Sequence, residues 1–566
     1  MALSPSQGLF AHIGSVHSLL LALCILASSL GIKIPSALAQ DSSDSIHEFI
    51  ELDESANGSN DSTESLGNLV EELLQRAITQ ENEGNLQEAI TSYETILQQD
   101  PENSLARLAL ARLYSLVGNY EASLTLLEQL ISENPDNVDL KVQQAQATSW
   151  SGDLEQSIQQ YQSIVEQHPA NVSARLGLAE VLSWDKRYPE SLAIYAAISE
   201  QEPDLIRARL GQAEVLLWAG ESQESLEFYE ELRSQFPDSV GVSLGLARAY
   251  EARGQRIDAL AILAPLVAED NADAIAIQRR LQSTYVTSEV VLDTTNSGES
   301  SQRIQARMWT PLPSSDFQQT IGVGFGNFQQ TGITALQNYE LDVGLEIRRG
   351  DFDFRGSAGI DVFSRVSTVL RLNSRVTYQA TPNLNVSANF SYGAYKDNAA
   401  SLENQISASR LIPSLYWQID PATDLLMSYT LGLYSDGNTE NQALLYLSRE
   451  FGSFYLGGLL LYWGYANDFD NGYFAPPDYF LYYGELGFEE RLTESVECRV
   501  SVGLGRQQYE NVNEQTYGLK TGCGIAFMPN VQVDLGYSLS NNARLSSGSG
   551  NGSIQQVFQG SINYTF

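Results

Sequence analysis

Beyond Thr287 the apolar residues of this 566-residue chain stop recurring at helical spacing and alternate one by one with polar residues. In Glu340–Arg348, the residues Leu341, Val343, Leu345 and Ile347 fall on one side of an extended strand, and Glu340, Asp342, Glu346 and Arg348 on the other, since successive strand side chains point to opposite faces. The segments 351–362 and 368–378 repeat the arrangement, with Asp353, Arg355, Asp361, Arg371 and Arg375 on the polar side. One aliphatic and one charged face, sustained over many long strands, predicts a wall with lipid outside and a wet lumen inside.

Sixteen candidate strands follow, near 288–295, 302–310, 316–328, 336–348, 351–362, 368–379, 383–395, 402–419, 423–434, 439–449, 453–465, 478–490, 494–508, 515–527, 530–540 and 553–566. An even number puts both ends of the sheet on one side. The connections holding Pro311 and Pro313, Pro382, Pro421 and Pro529 fall on that side and are short, whereas those at 466–477 and 541–552 are longer and opposite. The same parity names a polar lumen wall of Asp342, Glu346, Asp353, Arg355, Arg371, Arg375, Glu485, Glu489, Glu497 and Arg499.

In the last of these strands Phe558, Gly560, Ile562, Tyr564 and Phe566 alternate with Gln559, Ser561, Asn563 and Thr565. This resembles the closing strand of bacterial outer-membrane β-barrels, which implies that Phe558, Ile562, Tyr564 and Phe566 are read by the barrel-assembly machinery. Two cysteines report on register. With a turn centred between Glu510 and Asn511, Leu504 opposes Tyr517, Val502 opposes Leu519, Val500 opposes Thr521, and Cys498 opposes Cys523 on the apolar face. Opposed residues stand close enough for a bridge, and an oxidising periplasm permits one; the sequence leaves open whether it forms.

Ahead of the strands, Pro101, Pro135, Pro169, Pro203 and Pro237 lie 34 residues apart, as do Gly84, Gly118 and Gly152, with Lys186, Gly220 and Gly254 continuing that series. Small residues recur with them at Ala77, Ala111, Ala145, Ala179, Ala213 and Ala247, and in a second helix at Ala89, Ser123, Ser157, Ser191, Ser225 and Ala259. The pattern resembles the tetratricopeptide repeat, in which small residues let paired helices approach, glycine makes the turn and proline stops the second helix. About six repeats fit between Val70 and Asp273, with a closing helix at 272–283. Trp150, Trp184 and Trp218 end the first helices of three successive repeats. They either pack on neighbouring helices or form an aromatic ladder for a glycan or peptide.

The domain order is a signal peptide at 1–39, a disordered acidic linker at 40–66, the repeat domain at 67–286 and the barrel at 287–566. The signal rests on the apolar stretch 19–30 and the small-x-small site Ala37-Leu-Ala39, and is too short to span a bilayer. The linker rests on eight acidic residues, seven serines and no Lys or Arg in 41–66, a composition that cannot offset its ordering entropy. The fold class is thus α+β multidomain: an α-helical tetratricopeptide superhelix followed by a 16-stranded antiparallel transmembrane β-barrel.

Charge and residue usage exclude several function classes. Residues 1–286 carry 42 acidic against 16 basic side chains, and 287–566 carry 28 against 16, so no basic face for nucleic acid is expected. The four histidines, His12, His17, His47 and His168, all precede the strands, which leaves a barrel hydrolase without its usual general base. No Cys/His metal spacing or phosphate-cradling glycine motif occurs. Neither catalysis nor a metal nor a cofactor is expected.

The segment Asn471-Gly-Tyr-Phe-Ala-Pro-Pro-Asp-Tyr479 is similar to a barrel motif of the exopolysaccharide-export porins, in particular the outer-membrane component of cellulose synthase, with the poly-N-acetylglucosamine porin as a relative; the family usually has Ser where Ala475 stands. Signal peptide, repeats and barrel together resemble that family, although its cellulose-exporting members typically carry many more repeats. The resemblance implies an export conduit in the cell outer membrane, with the repeats in the periplasm. Its partners would be a polysaccharide chain, periplasmic or inner-membrane synthase components, outer-membrane lipid and the barrel-assembly machinery. It also implies that Tyr473, Phe474 and Tyr479 belong to an extracellular loop able to fold over the mouth. The alternative is an outer-membrane scaffold whose repeats recruit periplasmic proteins while the barrel only anchors.

Overall fold

A computed structural model describes residues 62–566 except 468–470, 474, 494, 510–511, 529 and 542–553, without the side chains of 62–68. The expected signal peptide, most of the acidic linker, Phe474 and most of the 541–552 connection lie outside the described residues. Residues 73–566 form one compact unit. The first described helix, Ser62–Asn82, begins inside the segment read as linker.

Thirteen helices between Ser62 and Gln282 precede the first strand among the described residues. Five of the first-helix N-termini are capped alike: Asn103, Asn137, Asn171, Ser239 and Asn271 each accept a backbone N–H with the side chain, which satisfies an orphan donor of the first turn. The first four of these caps stand two residues after a repeat proline. The turn after each first helix needs a left-handed residue; Gly152 at φ 97° supplies it, and Lys186 takes φ 62° in the same place. Alanines 77, 111, 145, 179, 213 and 247 are fully buried. Three of the serines of the second helices turn their hydroxyls onto those alanines' carbonyls, Ser157 to Ala145 at 2.7 Å, Ser191 to Ala179 at 2.6 Å and Ser225 to Ala213 at 2.8 Å, while Ser123 pairs with Ser115 at 2.7 Å. Stacking between repeats rests on a second periodic pair: Tyr161, Tyr195 and Tyr229 lie against Gly177, Gly211 and Gly245, where an added Cβ would overlap the ring.

The strands close into an antiparallel barrel in chain order, with β16 (Gln555–Thr565) paired to both β15 (Val531–Ser540) and β1 (Tyr285–Thr295). At the seam Phe558 opposes Leu292, Ile562 opposes Ser288 and Tyr564 opposes Val286. Tyr564 and Phe566 pack edge to face at 4.5 Å, and the Phe566 N–H donates to the Thr284 carbonyl at 2.8 Å. The sixteen strands coincide with the expected spans to within a few residues at all but one end. The segment 402–419 is not strand throughout: Ala399–Glu403 is a short helix and β8 starts at Ser407. Asn398 and Ser401 form a capping box there, which takes up the backbone groups that a strand would have given to its neighbour.

Outward residues are aliphatic at mid-height and exposed, among them Leu341, Val343, Leu345, Leu370 and Leu460. Aromatic pairs flank them at both ends: Phe352–Tyr378 and Phe454–Phe488 toward the repeats, Tyr462–Phe480 and Phe325–Tyr339 at the far end. An apolar band between aromatic girdles is the outer surface that lipid selects. No described helix is long and apolar enough to cross a membrane. On this face β13 (Val496–Tyr509) and β14 (Val512–Met528) pair Leu504 with Tyr517, Val502 with Leu519 and Cys498 with Cys523. The cysteines are disulfide-bonded, with Cα atoms 4.1 Å apart.

The last repeats are hydrogen-bonded to turns of the barrel. The Arg256 guanidinium donates to the carbonyls of Leu312 and Ser315, and the Ile257 N–H donates to Asp316 at 2.9 Å. Arg253 pairs with Asp351 at 2.6 Å, and its carbonyl accepts the Gly350 N–H at 2.7 Å. Gly220 lies against Pro382. Burial disfavours the charged form of a group, and the Arg256 guanidinium is accordingly held below its usual range by desolvation, with Asp316 opposing the shift.

Candidate functional site: the lumen and its far mouth

Strands β4 (Ile333–Arg349), β5 (Phe352–Phe363) and β6 (Val369–Thr381) turn alternate residues inward. Arg371 bridges Glu340 and Asp342, the latter at 2.9 Å, and reaches Asp361 at 3.4 Å. Lys396 spans Glu340 at 2.5 Å and Asp361 at 3.0 Å, while Arg307 holds Asp342 at 2.8 Å. Three carboxylates thus meet three cations, as buried charges must. Toward the repeats, Arg355 pairs with Glu346 at 3.0 Å and Asp353 at 3.2 Å, and Arg375 donates to Asn389 at 2.7 Å.

The opposite wall has its own pairs. Glu489 holds Arg499 at 2.6 Å, Glu497 lies 3.9 Å from Arg491, and Glu485 accepts from Tyr446 at 2.9 Å and pairs with Lys520 at 3.1 Å. All ten lumen residues named from parity therefore share the inward face. Between the walls lie cavities of about 920, 760 and 660 Å³.

The far mouth is crossed by two connections. Residues 395–406 carry the short helix, whose Ala399 and Leu402 pack into Phe328, Leu336 and Phe363 on β3 (Gln318–Gln330), β4 and β5. Asn471 and Gly472, in the connection that follows β11 (Phe454–Tyr465), reach that helix. Asn404 donates to the Asn471 carbonyl at 2.8 Å, and a Cβ on Gly472, already at φ 84°, would stand 2.6 Å from the Ala400 Cβ. β3 and β11 lie half the circumference apart in the sheet order, so these contacts strap opposite walls together across the lumen.

Aromatic rings fill the strap's near side. Tyr473 stacks on Tyr434 at 5.3 Å and meets Tyr395 edge-on at 5.4 Å. Glu440 accepts from Trp463 at 2.8 Å, Tyr434 at 2.9 Å and Arg410 at 3.0 Å, and the Arg410 guanidinium lies 4.7 Å over the Tyr395 ring. Asp436 anchors the loop, accepting from Asn471 at 2.9 Å and Tyr473 at 2.8 Å. Burial alone would raise its carboxyl, but the donors Asn471, the Asn438 amide and Tyr473 hold it below the ordinary aspartate range. Burial raises the Tyr473 phenol, so it remains a donor.

Tyr479 is not a loop residue: it opens β12 (Tyr479–Thr493), fully buried, with its hydroxyl on Gln507 at 3.0 Å and its ring stacked on Tyr509 at 5.8 Å. Sequence parity places Glu340 and Asp361 on the polar side without singling them out. It gives no signal for Lys396 or Tyr434, and Arg410 and Glu440 are distinguished only by standing at inward positions of their strands. The tryptophans of the repeats are unequal: Trp184 packs against the cluster around Ile158 and Leu182, Trp150 is half-buried and Trp218 is 44% exposed.

Among the described residues no group of His, Cys, Asp and Glu could hold a metal ion. The tetratricopeptide-repeat profile matches residues 82–148, 151–215 and 216–282. The chain thus carries tetratricopeptide repeats ahead of a closed sixteen-stranded barrel. No curated protein matches it in sequence. Among solved structures it is similar to a bacterial polysaccharide outer membrane secretin, at 14% identity over 50% of this chain and 99% of that one, TM-score 0.42. It is also similar to CdiB from Acinetobacter baumannii, at 10% identity over 50% and 60% of the two chains, TM-score 0.34. A thermophilic tetratricopeptide-repeat protein from Thermus thermophilus is 20% identical over 32% of this chain and 98% of that one, TM-score 0.29.

Proposed function

We propose that the protein is an outer-membrane conduit for an exopolysaccharide: the repeats, in the periplasm, receive the polymer or its synthase partners, and the barrel passes the chain outward. The observation that carries this reading is the lumen, a charge-paired, cavity-bearing polar channel inside an apolar wall, with the repeat domain bonded to one rim. A pure anchor has no use for a wet interior, because the lipid-facing surface alone does the anchoring. The described residues of the segment similar to the export-porin motif, 471–473 and 475–479, lie at the opposite rim, where an exit belongs. The pairing of lumen carboxylates with guanidinium and ammonium groups suits a neutral, hydroxyl-rich cargo.

The strap across the far mouth favours the second reading, a scaffold that does not conduct. Purified full-length protein in planar bilayers separates the two. Discrete conductance steps, together with loss of secreted polysaccharide on deletion of the gene, support export; a silent bilayer with unaltered secretion overturns it.

A further inference from the structure

Three inward tyrosines of neighbouring strands lie over glycines of the adjoining strand. A Cβ added at Gly457 would stand 2.6 Å from the Tyr446 hydroxyl and 3.1 Å from its Cζ. One at Gly487 would overlap Cε1 and Cζ of Tyr455, and one at Gly503 would overlap Cζ and the hydroxyl of Tyr483. Gly518 continues the seat under Tyr483, at 2.5 Å from the hydroxyl. Any side chain at these four glycines would push a ring off the wall; bare backbone lets each lie down on it. One ring face then rests on the sheet and the other looks into the lumen.

The rings border open space. Tyr446 and Tyr455 line the 920 Å³ cavity, Tyr446 and Tyr483 the 760 Å³ cavity, and the two cavities share Tyr446, Glu485 and Lys520. Glu485 accepts from Tyr446 and pairs with Lys520, so the pair shared by the two cavities carries no net charge and offers both an acceptor and donors, while the rest of the 920 Å³ cavity is acidic, with Asp424, Glu450, Glu489, Glu497 and Asp534 against Arg491 and Arg499. Beyond them, toward the far mouth, come Trp463 and Tyr479. Flat aromatic faces flanked by a neutral donor–acceptor pair suit a pyranose ring, whose axial C–H bonds form an apolar face and whose rim carries hydroxyls.

From this geometry we infer that Tyr455, Tyr446 and Tyr483 form a stacking track on the β10–β12 wall for the rings of an uncharged pyranose polymer, with Glu485 and Lys520 bonding its hydroxyls; β10 is Thr439–Phe451. This rests on the export reading and names the substrate class within it.

The test is calorimetric titration of cellohexaose and chitohexaose into the full chain in detergent micelles, for wild type and for Tyr446→Ala, Tyr483→Ala, Tyr446→Phe and Gly503→Ala, each checked for heat-modifiable migration as a folded barrel. The track predicts binding of at least one oligomer, weakened about tenfold by either alanine at a tyrosine and by Gly503→Ala, which tilts a chemically intact ring. Tyr446→Phe, keeping the ring, should retain most of it. Absence of binding of both oligomers to the wild type, or equal affinity in wild type and the Tyr→Ala variants, overturns the track. Bilayer conductance is read separately: a conducting channel that binds neither oligomer sinks the track and leaves the conduit, and a binding barrel that never conducts does the reverse.

Discussion

At the scale of single residues the lumen depends on guanidinium groups that each serve several carboxylates. Arg371 serves three, and removing it leaves Glu340, Asp342 and Asp361 under-compensated. Breaking a buried pair costs about 3–5 kcal/mol, so Arg371→Met should lower the temperature at which the folded barrel converts to the unfolded band on gels. Adding Glu340→Gln should recover part of the loss, since one orphaned charge is removed. The strap depends on two other residues. Gly472→Val has no room against Ala400 and should free the loop, seen as a larger and noisier single-channel current. Asp436 sets a pH window of the opposite kind to a histidine switch. Its carboxyl is held below the ordinary value of 3.8, so its contribution is present above that value and is lost as pH falls through the depressed one. Conductance should therefore be flat from neutral pH down to about 4 and rise only in stronger acid; a rise well above that range would mean that another group holds the strap.

Elements were legible in the sequence where one period ruled them. Strands with one lipid face and one wet face write a period of two that a single misplaced residue would spoil, and β4 carries it over all of 340–348. The helix Ala399–Glu403 was not legible, because Ala-Ala-Ser-Leu-Glu is too short to show a 3.6 period and adjoins a genuine strand. The mouth was hidden for a different reason. Tyr434, Tyr473 and Tyr395 come from three connections and strand ends, and only closure of the sheet brings them together. In the repeats the regular spacing of alanines was plain, but the contact of each tyrosine with the glycine of the following repeat shows only once the repeats are stacked. The β13–β14 hairpin is the element with a covalent staple, closing a separation of 25 residues. Losing such a bridge typically costs ~3 kcal/mol by the chain-entropy account. The double variant Cys498→Ser/Cys523→Ser should unfold at lower denaturant while inserting with unchanged conductance, and a shift of gel mobility under reductant should vanish in it.

For the molecule as a whole, the decisive contact is the one between the last repeats and the barrel's rim. Arg256→Ala deletes two hydrogen bonds to carbonyls, at a cost of roughly 1–3 kcal/mol. Hydrogen exchange at the Ile257 and Gly350 amides should then speed up tenfold or more, with the barrel strands unaffected; equal protection would show that the docking rests elsewhere. On the barrel side the repeats meet main chain at three points, the carbonyls of Leu312 and Ser315 and the amide of Gly350, and side chains at two, Asp316 and Asp351. Main-chain contacts are indifferent to most side chains but not to loop length, so the rim can drift in sequence everywhere but at Asp316 and Asp351 while keeping its partner, and a foreign barrel given turns of the same length and shape with these two aspartates should accept these repeats as a transplant.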